Sequence, residues 1–273
     1  MEVLTDSQFT RIAHVAEELW GLHLDKKKFQ LVLNRVRQFL RRSRFNSIEE
    51  YLDHLESGSP REEDLLLFFD ALSTNTTSFF REIEAFNYLE REFYTPLQRG
   101  NLTLPGKRIR FWSAACSTGA EPYSLAIHAH ETFRSLKQWD MKILATDLSQ
   151  TALQKASAGT YPLKMVEDLD KKIVKRHFTC DTHKGYVTVA PHIREMVSVA
   201  RLNLMEDWPM KGPFDVVFLR NVMIYFDRPT RERLVNRVYD LLRPGGALVI
   251  GSSETLSGCR TKYRTAQPAV YIK

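Results

Sequence analysis

The sequence predicts an α/β domain built around a largely parallel sheet and preceded by an all-helical N-terminal domain. Two observations predict it. From about residue 108 onward, short apolar runs alternate with helical stretches, which is the pattern of βα units. The first hundred residues instead read as successive helices, with apolar positions three and four apart.

In chain order, Thr5 is placed to cap a helix carrying Phe9, Ile12, Ala13, Ala16 and Leu19, and Gly21 ends it. A second helix is expected from Lys26 to Arg42, with Phe29, Leu33, Val36 and Leu40 as its apolar stripe. Shorter helices follow near Ser47–Leu55 and Glu62–Leu72, and another begins near Ser78 and runs towards Phe93. Residues 98–107 contain Gly100, Pro105 and Gly106 and read as a linker.

Strands are then expected at Ile109–Ala115, Met141–Thr146, Phe214–Leu219 and Ala247–Ile250. Helices lie between them at Pro122–Phe133, Gln150–Ala158 and Thr230–Leu242. No helix-length crossover precedes Ala269–Ile272, so that last strand should pair antiparallel at or near an edge. Between residues 161 and 198 the pattern breaks: a basic helix (Leu169–Arg176) is followed by a hairpin turning near Asp181–Gly185. This stretch reads as a small insertion. The expected organisation is thus a helical domain at 1–97, a linker at 98–107 and an α/β domain at 108–273.

With 273 residues, 43% of them hydrophobic, the chain can bury one large and one small core. Its charged and aromatic fractions exclude a disordered chain. Glu2 and Asp6 stand where a leader peptide would be basic, and no apolar run reaches the roughly 18 residues of a spanning helix. Cys116, Cys180 and Cys259 are too dispersed for a disulfide framework or zinc cluster, so reduced thiols and no metal site are expected. The net charge of +6 favours an acidic partner: nucleic acid, an anionic membrane surface or an acidic protein. Much of it is concentrated in Lys26, Lys27, Lys28, Arg35, Arg37, Arg41, Arg42 and Arg44.

The chemistry-bearing segments lie at expected strand ends. After the first strand, Ala114-Ala115-Cys116-Ser117-Thr118-Gly119-Ala120 is a small-residue turn into a helix, which lets a ligand approach the backbone. With Gly119 its only glycine, a pyrophosphate cradle is poorly supported, and a cofactor without phosphates fits better. Asp147, ending the second strand, is placed either to accept ribose hydroxyls or to cap the next helix. The segment Phe218–Asp227 delivers polar residues and Tyr225 to the same edge. Leu241-Leu242-Arg243-Pro244-Gly245-Gly246 reads as a helix stop before a strand.

Taken together, these segments closely resemble the chemotaxis receptor glutamate methyltransferases, the CheR family. The resemblance rests on Leu72-Ser73-Thr74-Asn75-Thr76-Thr77-Ser78-Phe79-Phe80-Arg81-Glu82, Trp112 to Ser124, Ala145-Thr146-Asp147-Leu148-Ser149, Leu202-Asn203-Leu204 and Arg220 to Phe226, in that order along nearly the whole chain. It implies a class I S-adenosylmethionine-dependent methyltransferase (Rossmann-like) domain with a small antiparallel β-subdomain inserted. It places cofactor contacts on Asn75, Thr77, Arg81, Glu121, Asp147, Asn203, Leu204, Arg220 and Asn221, and active-site roles on Arg81 and Tyr225. Two departures are minor: Ala120-Glu121 keeps the second of two acids common in the family, and Cys116 replaces a common alanine.

The implied reaction esterifies glutamate side chains on the cytoplasmic helical bundle of methyl-accepting chemotaxis receptors and leaves S-adenosylhomocysteine. The enzyme is then expected to be cytoplasmic, monomeric and recruited to receptor arrays, with no nucleic acid partner. Some relatives dock a receptor C-terminal peptide through a longer, glycine-containing hairpin loop; the short Asp181–Gly185 turn implies a form that does not need that tether. A glutamate carboxylate, with a reference pKa of about 4.3, is ionised at neutral pH, so no general base is required. Alignment and exclusion of water are the demands. Arg81 then positions the substrate or forms an inter-domain ion pair, and Tyr225 walls the methyl channel or merely sits at the sheet's rim. The basic helix docks glutamate-rich receptor helices or simply solvates a surface. A nucleic acid methyltransferase should interleave aromatic with basic residues on an exposed face, but residues 26–44 hold only Phe29 and Phe39. A binding module without turnover would not need Arg81, Asp147 and Tyr225 together.

Overall fold

The computed structural model describes residues 4–57 and 60–273; Glu2, used above against a leader peptide, lies outside them. The helical region opens with α1 (Asp6–Trp20). Thr5 and Gln8 cap each other reciprocally, and Gly21 closes the helix in the left-handed region at φ 68°. Three more helices follow: α2 (Phe29–Leu40), α3 (Ile48–Glu56) and α4 (Glu62–Leu72).

The expected second helix is too long at both ends. Asp25 accepts from the Lys27 N–H and folds Lys26–Lys28 into a separate 3-10 turn, while Arg41 and Arg42 fall in the turn after Leu40.

A helix starting near Ser78 is also absent. Residues 73–83 run without helical structure, and Phe80 (φ 52°) and Glu82 (φ 56°) adopt left-handed backbone. Long-range contacts override local preference here: the Phe80 N–H donates to Ser124 Oγ at 2.9 Å, and Phe79 packs edge-on against Tyr161 and Phe178. Helix resumes only as α5 (Glu84–Tyr88), passes through a π-helical segment at Leu89–Tyr94 and ends as α6 (Thr95–Gln98).

The α/β part runs β1 (Arg108–Ala114), α7 (Ala120–Thr132), β2 (Asp140–Asp147) and α8 (Gln150–Ala158). The insertion holds β3 (Thr160–Pro162), α9 (Lys171–His177), β4 (Phe178–Asp181), β5 (Tyr186–Val189) and α10 (Pro191–Arg194). The main sheet resumes with β6 (Val197–Arg201), β7 (Phe214–Leu219), α11 (Arg228–Leu241), β8 (Leu242–Ile250), β9 (Arg264–Gln267) and β10 (Val270–Ile272).

Its order is β6-β2-β1-β7-β8-β10-β9. The strands β6, β2, β1, β7 and β8 are parallel, whereas β10 pairs antiparallel with both β8 and β9. The chain winds from β1 to β2 and β6 on one side and returns through β7 and β8 on the other. That reversal opens a crevice at the carboxyl ends of β1 and β7.

Strands β3, β6 and β9 escaped the sequence reading. They are short, and β6 and β9 are half-exposed edge strands without the apolar runs of the centre. The residues expected to form a glycine turn before the last parallel strand instead lie within β8, where register with β7 jumps from Leu242 to Ala247. Gly246 passes so close to the neighbouring backbone that a Cβ would come 3.1 Å from the Asp215 carbonyl oxygen.

One apolar cluster runs without interruption from Ile12, Val36 and Phe68 in the helical region to Trp112, Val235 and Leu248 in the α/β part, so the two share a core. Polar ties reinforce the junction: Thr151 Oγ1 donates to Asp70 at 2.5 Å, Asn203 Nδ2 donates to the Leu19 carbonyl at 3.0 Å, and Arg201 pairs with Glu62. The other sheet face packs a second cluster that includes Phe86, Tyr94 and Phe133.

Within that cluster His128 is buried, its Nδ1 without a partner, and burial pushes its pKa down to about 4. The folded value lies below the unfolded one, so this contribution is complete above about pH 6.5 and is lost as pH falls towards 4. Thermal unfolding at pH 7 and pH 5 should show wild type losing roughly 2 kcal/mol more than His128→Leu between those values. Equal losses would show that His128 titrates normally. His130 and His192, both lowered chiefly by burial, leave a residual slope of the same sign in the variant.

Candidate active site

At the carboxyl end of β1, the turn into α7 places Ala115, Ser117 and Gly119 at positive φ (58°, 50° and 88°). Only glycine suits the last position, because a Cβ there would lie 2.8 Å from that of Ala156. The turn carries its backbone into the crevice and ties two other segments together. The Ser117 N–H donates to Asp147 Oδ2 at 2.7 Å, and Ser117 Oγ donates to the Asn75 carbonyl at 3.0 Å. Asp147 also accepts from the Ser149 N–H at 2.9 Å. Burial raises its pKa, although these backbone donors oppose the shift. The cap of α8 is made by Ser149 Oγ, not by Asp147.

Two depressions meet at this point and share Leu22, Phe69, Ala115, Asp147 and Val222. The larger is walled by residues 72–78 and 81, the β1 turn, Glu121, Arg220, Asn221 and Tyr225. The smaller is mostly apolar and is lined by Trp20, Leu148, Leu202, Asn203, Leu204 and Phe226, among others. Asn75, Thr77, Arg81, Glu121, Asp147, Arg220, Asn221 and Tyr225 therefore border the first depression, and Asn203 and Leu204 the second. All ten residues singled out as cofactor-binding or catalytic line one or both of these adjoining depressions.

Arg220, at the end of β7, is the buried centre of the cleft floor, with a side-chain exposure of 1%. Its Nη1 lies 2.9 Å from Glu121 Oε2, and its Nη2 lies 3.1 Å from Glu82 Oε2 and 2.6 Å from the Arg81 carbonyl. Glu121 also accepts from Ser113 Oγ at 2.7 Å. Burial alone would raise the Glu82 pKa, but the Ser252 N–H, Arg220 and Asn221 together hold it below the usual carboxylate value. Arg81 is more open: its side chain is 41% exposed, with Nη1 3.3 Å from the Thr76 carbonyl and Nε 3.8 Å from Glu82. Tyr225 is half-buried, with Lys28 Nζ 5.9 Å from its ring centroid.

The eight clustered cations do not share one environment. Lys28 and Arg35 line the cleft, and Arg35 donates to the Leu72 carbonyl and, at 2.5 Å, to Thr74 Oγ1. Burial lowers the Arg35 pKa. Arg44 pairs with the buried Asp64 at 3.0 Å, and Lys26 approaches Asp6 at 3.9 Å. Arg37 is half-buried, whereas Lys27, Arg41 and Arg42 are exposed.

Comparison with known proteins decides what this cleft belongs to. Residues 75–272 match the model of the CheR methyltransferase SAM-binding domain, and residues 7–73 match that of the CheR methyltransferase all-alpha domain. The chain belongs to the CheR methyltransferase family. Among its curated relatives, chemotaxis protein methyltransferase 2 of Pseudomonas aeruginosa is 38% identical, the match covering 98% of this chain and 93% of that protein. The chemotaxis protein methyltransferase of Borreliella burgdorferi is 34% identical over 99% of this chain and 95% of its own. That of Escherichia coli is 34% identical over 98% and 91%. This protein is accordingly an S-adenosylmethionine-dependent methyltransferase.

The sequence reading of the methyltransferase overlooked several residues in or beneath the cleft. Trp20, Leu22 and Phe69 come from the helical region, and nothing in the sequence singles them out. Glu82 and Glu254 organise the cleft's floor and rim, and no spacing pattern marks either. The one available signal was that Glu82 directly follows Arg81 in the segment that carried the resemblance.

Proposed function

We propose that this methyltransferase esterifies glutamate γ-carboxylates on the cytoplasmic helical bundle of chemotaxis receptors, producing methyl esters and S-adenosylhomocysteine for sensory adaptation. The observation that carries this reading is the convergence of Arg81 and Tyr225 on the depression that Asp147 shares with the apolar slot.

The cleft fits the cofactor. Trp20, Leu204, Val222 and Phe226 offer a flat base an apolar slot, and Asp147 at its boundary is a buried acceptor for two ribose hydroxyls. Asn203 at the slot's rim is suited to the base's polar edge, while Asn75, Thr77 and Asn221 line the path towards Glu121, which suits the methionyl ammonium. Arg220 acts on both cofactor and active site by fixing Glu121. Calorimetry with S-adenosylmethionine should show affinity falling at least tenfold, about 1.4 kcal/mol, for Asp147→Ala. Unchanged affinity would remove the ribose assignment.

The cofactor supplies an electrophilic methyl group. Transfer of that group to a carboxylate would ask the chain's own residues only to align the carboxylate oxygen with the methyl group and to exclude water. No proton moves, so the site needs no base. In this reading Arg81 holds the free carboxylate oxygen through its planar fork, and Tyr225 walls the methyl channel against water.

The exposed cations Lys27, Arg41 and Arg42, together with Lys26 and Arg37, steer a glutamate-rich receptor helix towards a cleft whose wall already carries Lys28 and Arg35. Arg44 supports this face from its pair with Asp64. We further assign residues 1–97 to the receptor-facing helical domain, 98–107 to the linker and 108–273 to the methyltransferase domain, with 161–198 inserted. The enzyme acts as a cytoplasmic monomer recruited to receptor arrays. No helix among the described residues is long and apolar enough to cross a membrane. The tight turn after β4, in which the Lys184 N–H donates to Asp181 Oδ1 at 3.0 Å, supports independence from a receptor C-terminal pentapeptide.

A radiolabelled methyl-transfer assay on receptor cytoplasmic fragments, with and without their C-terminal tails, tests the reading. Base-labile label on glutamates, equal with and without the tail, is expected. Lys27→Glu with Arg41→Glu should slow transfer and flatten its salt dependence. Absence of label from every fragment would end the proposal.

A further inference from the structure

The strands β7 and β8 end side by side, Leu219 opposite Ile250, and the chain leaves each towards the cleft. After β7 come Arg220, Asn221 and the 3-10 turn Met223–Tyr225, which carries the active-site tyrosine. After β8 comes a four-residue turn, Gly251 to Glu254, closed by the Glu254 N–H donating to the Gly251 carbonyl at 2.9 Å. A single side chain joins the two. Glu254 Oε2 accepts from the Asn221 N–H at 2.9 Å and from the Gly251 N–H at 2.7 Å, and its Oε1 accepts from the Ile224 N–H at 3.2 Å.

Three backbone donors on one carboxylate form a directed set, because each N–H belongs to residues that regular secondary structure leaves unpaired. Asn221 sits in left-handed backbone at φ 59°, a conformation that asparagine tolerates better than most non-glycine residues and that this grip fixes here. The fit is close: a Cβ on Gly251 would come 2.8 Å from Glu254 Oε2 and 2.7 Å from Asn221 Nδ2. On its far side Tyr225 is held by the helical region, its carbonyl accepting from the His23 N–H at 2.7 Å.

We infer that Glu254 is a positioning residue for methyl transfer: it holds the 221–225 segment in the one backbone conformation that presents Asn221 and Tyr225 to the cleft. Glu82 completes the frame from the opposite wall. Its carboxylate accepts from Asn221 Nδ2 at 3.3 Å and from the Ser252 N–H at 2.8 Å, so the turn bearing Arg81 is registered against the same two strand exits. Glu254 itself lines neither depression and acts only through the backbone it grips.

The inference rests on the role proposed for Tyr225, and a double-mutant cycle isolates it. Glu254→Gln keeps size and one acceptor but sets an NH2 group against a backbone N–H. Single-turnover transfer to a receptor fragment at saturating cofactor should slow at least tenfold in Glu254→Gln, with the fragment's KM within about threefold of wild type. In a Tyr225→Ala background, the same substitution should cost less than about threefold further, because the positioned tyrosine is gone and saturating cofactor masks any effect through Asn221. A merely structural role would give the same factor in both backgrounds, and that result, or an undiminished rate, overturns the inference. Amide hydrogen exchange provides a readout independent of substrate. Exchange at Asn221 and Ile224 should accelerate at least tenfold in Glu254→Gln, and unchanged exchange overturns the inference. If wild type transfers no methyl group to any fragment, the glutamate-methylation reading fails while the exchange result still decides the role of Glu254.

Discussion

Arg220→Met should abolish measurable turnover and lower the unfolding midpoint by roughly 10 °C. Arg220 is the only cation within reach of both Glu121 and Glu82 among the ion pairs of the described residues, and its side chain has essentially no contact with solvent. Methionine fills a similar volume but leaves two carboxylates facing each other across the cleft floor without their shared donor. Removing one partner from such a buried arrangement costs about 3–5 kcal/mol, mostly from the stranded charges. The consequence extends to the chemistry, because Arg220 Nη2 also grips the Arg81 carbonyl and thereby fixes the turn on which Arg81 sits. Neutralising the stranded acids distinguishes the two effects. Arg220→Met combined with Glu121→Gln should recover part of the lost stability in a thermal melt but little of the activity. If the single variant melted like wild type, the ion network would be dispensable. If the double variant regained turnover, Arg220 would serve only to offset charge.

Arg81→Ala should show the opposite signature, a large kinetic effect with little change in stability. Its side chain is 41% exposed and makes one hydrogen bond to the Thr76 carbonyl and one longer approach to Glu82, so truncation should move the midpoint by no more than about 2 °C. The expected loss in kcat/KM is at least a hundredfold, about 2.7 kcal/mol, because in the role proposed for Arg81 its loss leaves the carboxylate free to sample many orientations away from the methyl carbon. Affinity for S-adenosylhomocysteine should change by less than tenfold. Arg81→Lys should recover little, since a single ammonium cannot reproduce the planar fork. Turnover within threefold of wild type in Arg81→Ala would take this residue out of the active site.

The unequal environments of these two arginines show where the sequence was informative. Both were legible as cleft residues from the segments that contain them. The difference between a buried structural hub and an exposed arm was not, because it depends on the Glu121 carboxylate and the Arg81 carbonyl, 99 and 139 positions away along the chain. The eight cations between Lys26 and Arg44 tell the same story. Their spacing suggested one basic face, yet Arg35 turns inward to hold the Leu72 carbonyl and Arg44 is committed to Asp64. Helical spacing reports angular position about an axis, but not which neighbour lies at that angle.

Residues 73–83 gave the clearest failure of local reasoning. Their composition permitted a helix from Ser78, but the chain unwinds there because Phe79, Phe80 and Glu82 find partners on the insertion, on α5 and α7, and at the exits of β7 and β8. The segment that carried much of the resemblance was thus the one whose conformation could not be read locally.

By itself the sequence determined most of the succession of elements, the short edge strands and residues 73–83 excepted, and the parallel character of the central sheet, because apolar periodicity and capping residues act within a few positions of one another. It also determined the family, through ordered motifs that each turn back to one edge of that sheet. Only the tertiary structure decided which charges are buried, which side chain serves as hub, and how Glu82 and Glu254 set the backbone around Arg81 and Tyr225. Those outcomes follow from hydrogen bonds and ion pairs between residues far apart in the chain, whose strength comes from exclusion of water, and water is excluded only once the domains have closed on each other.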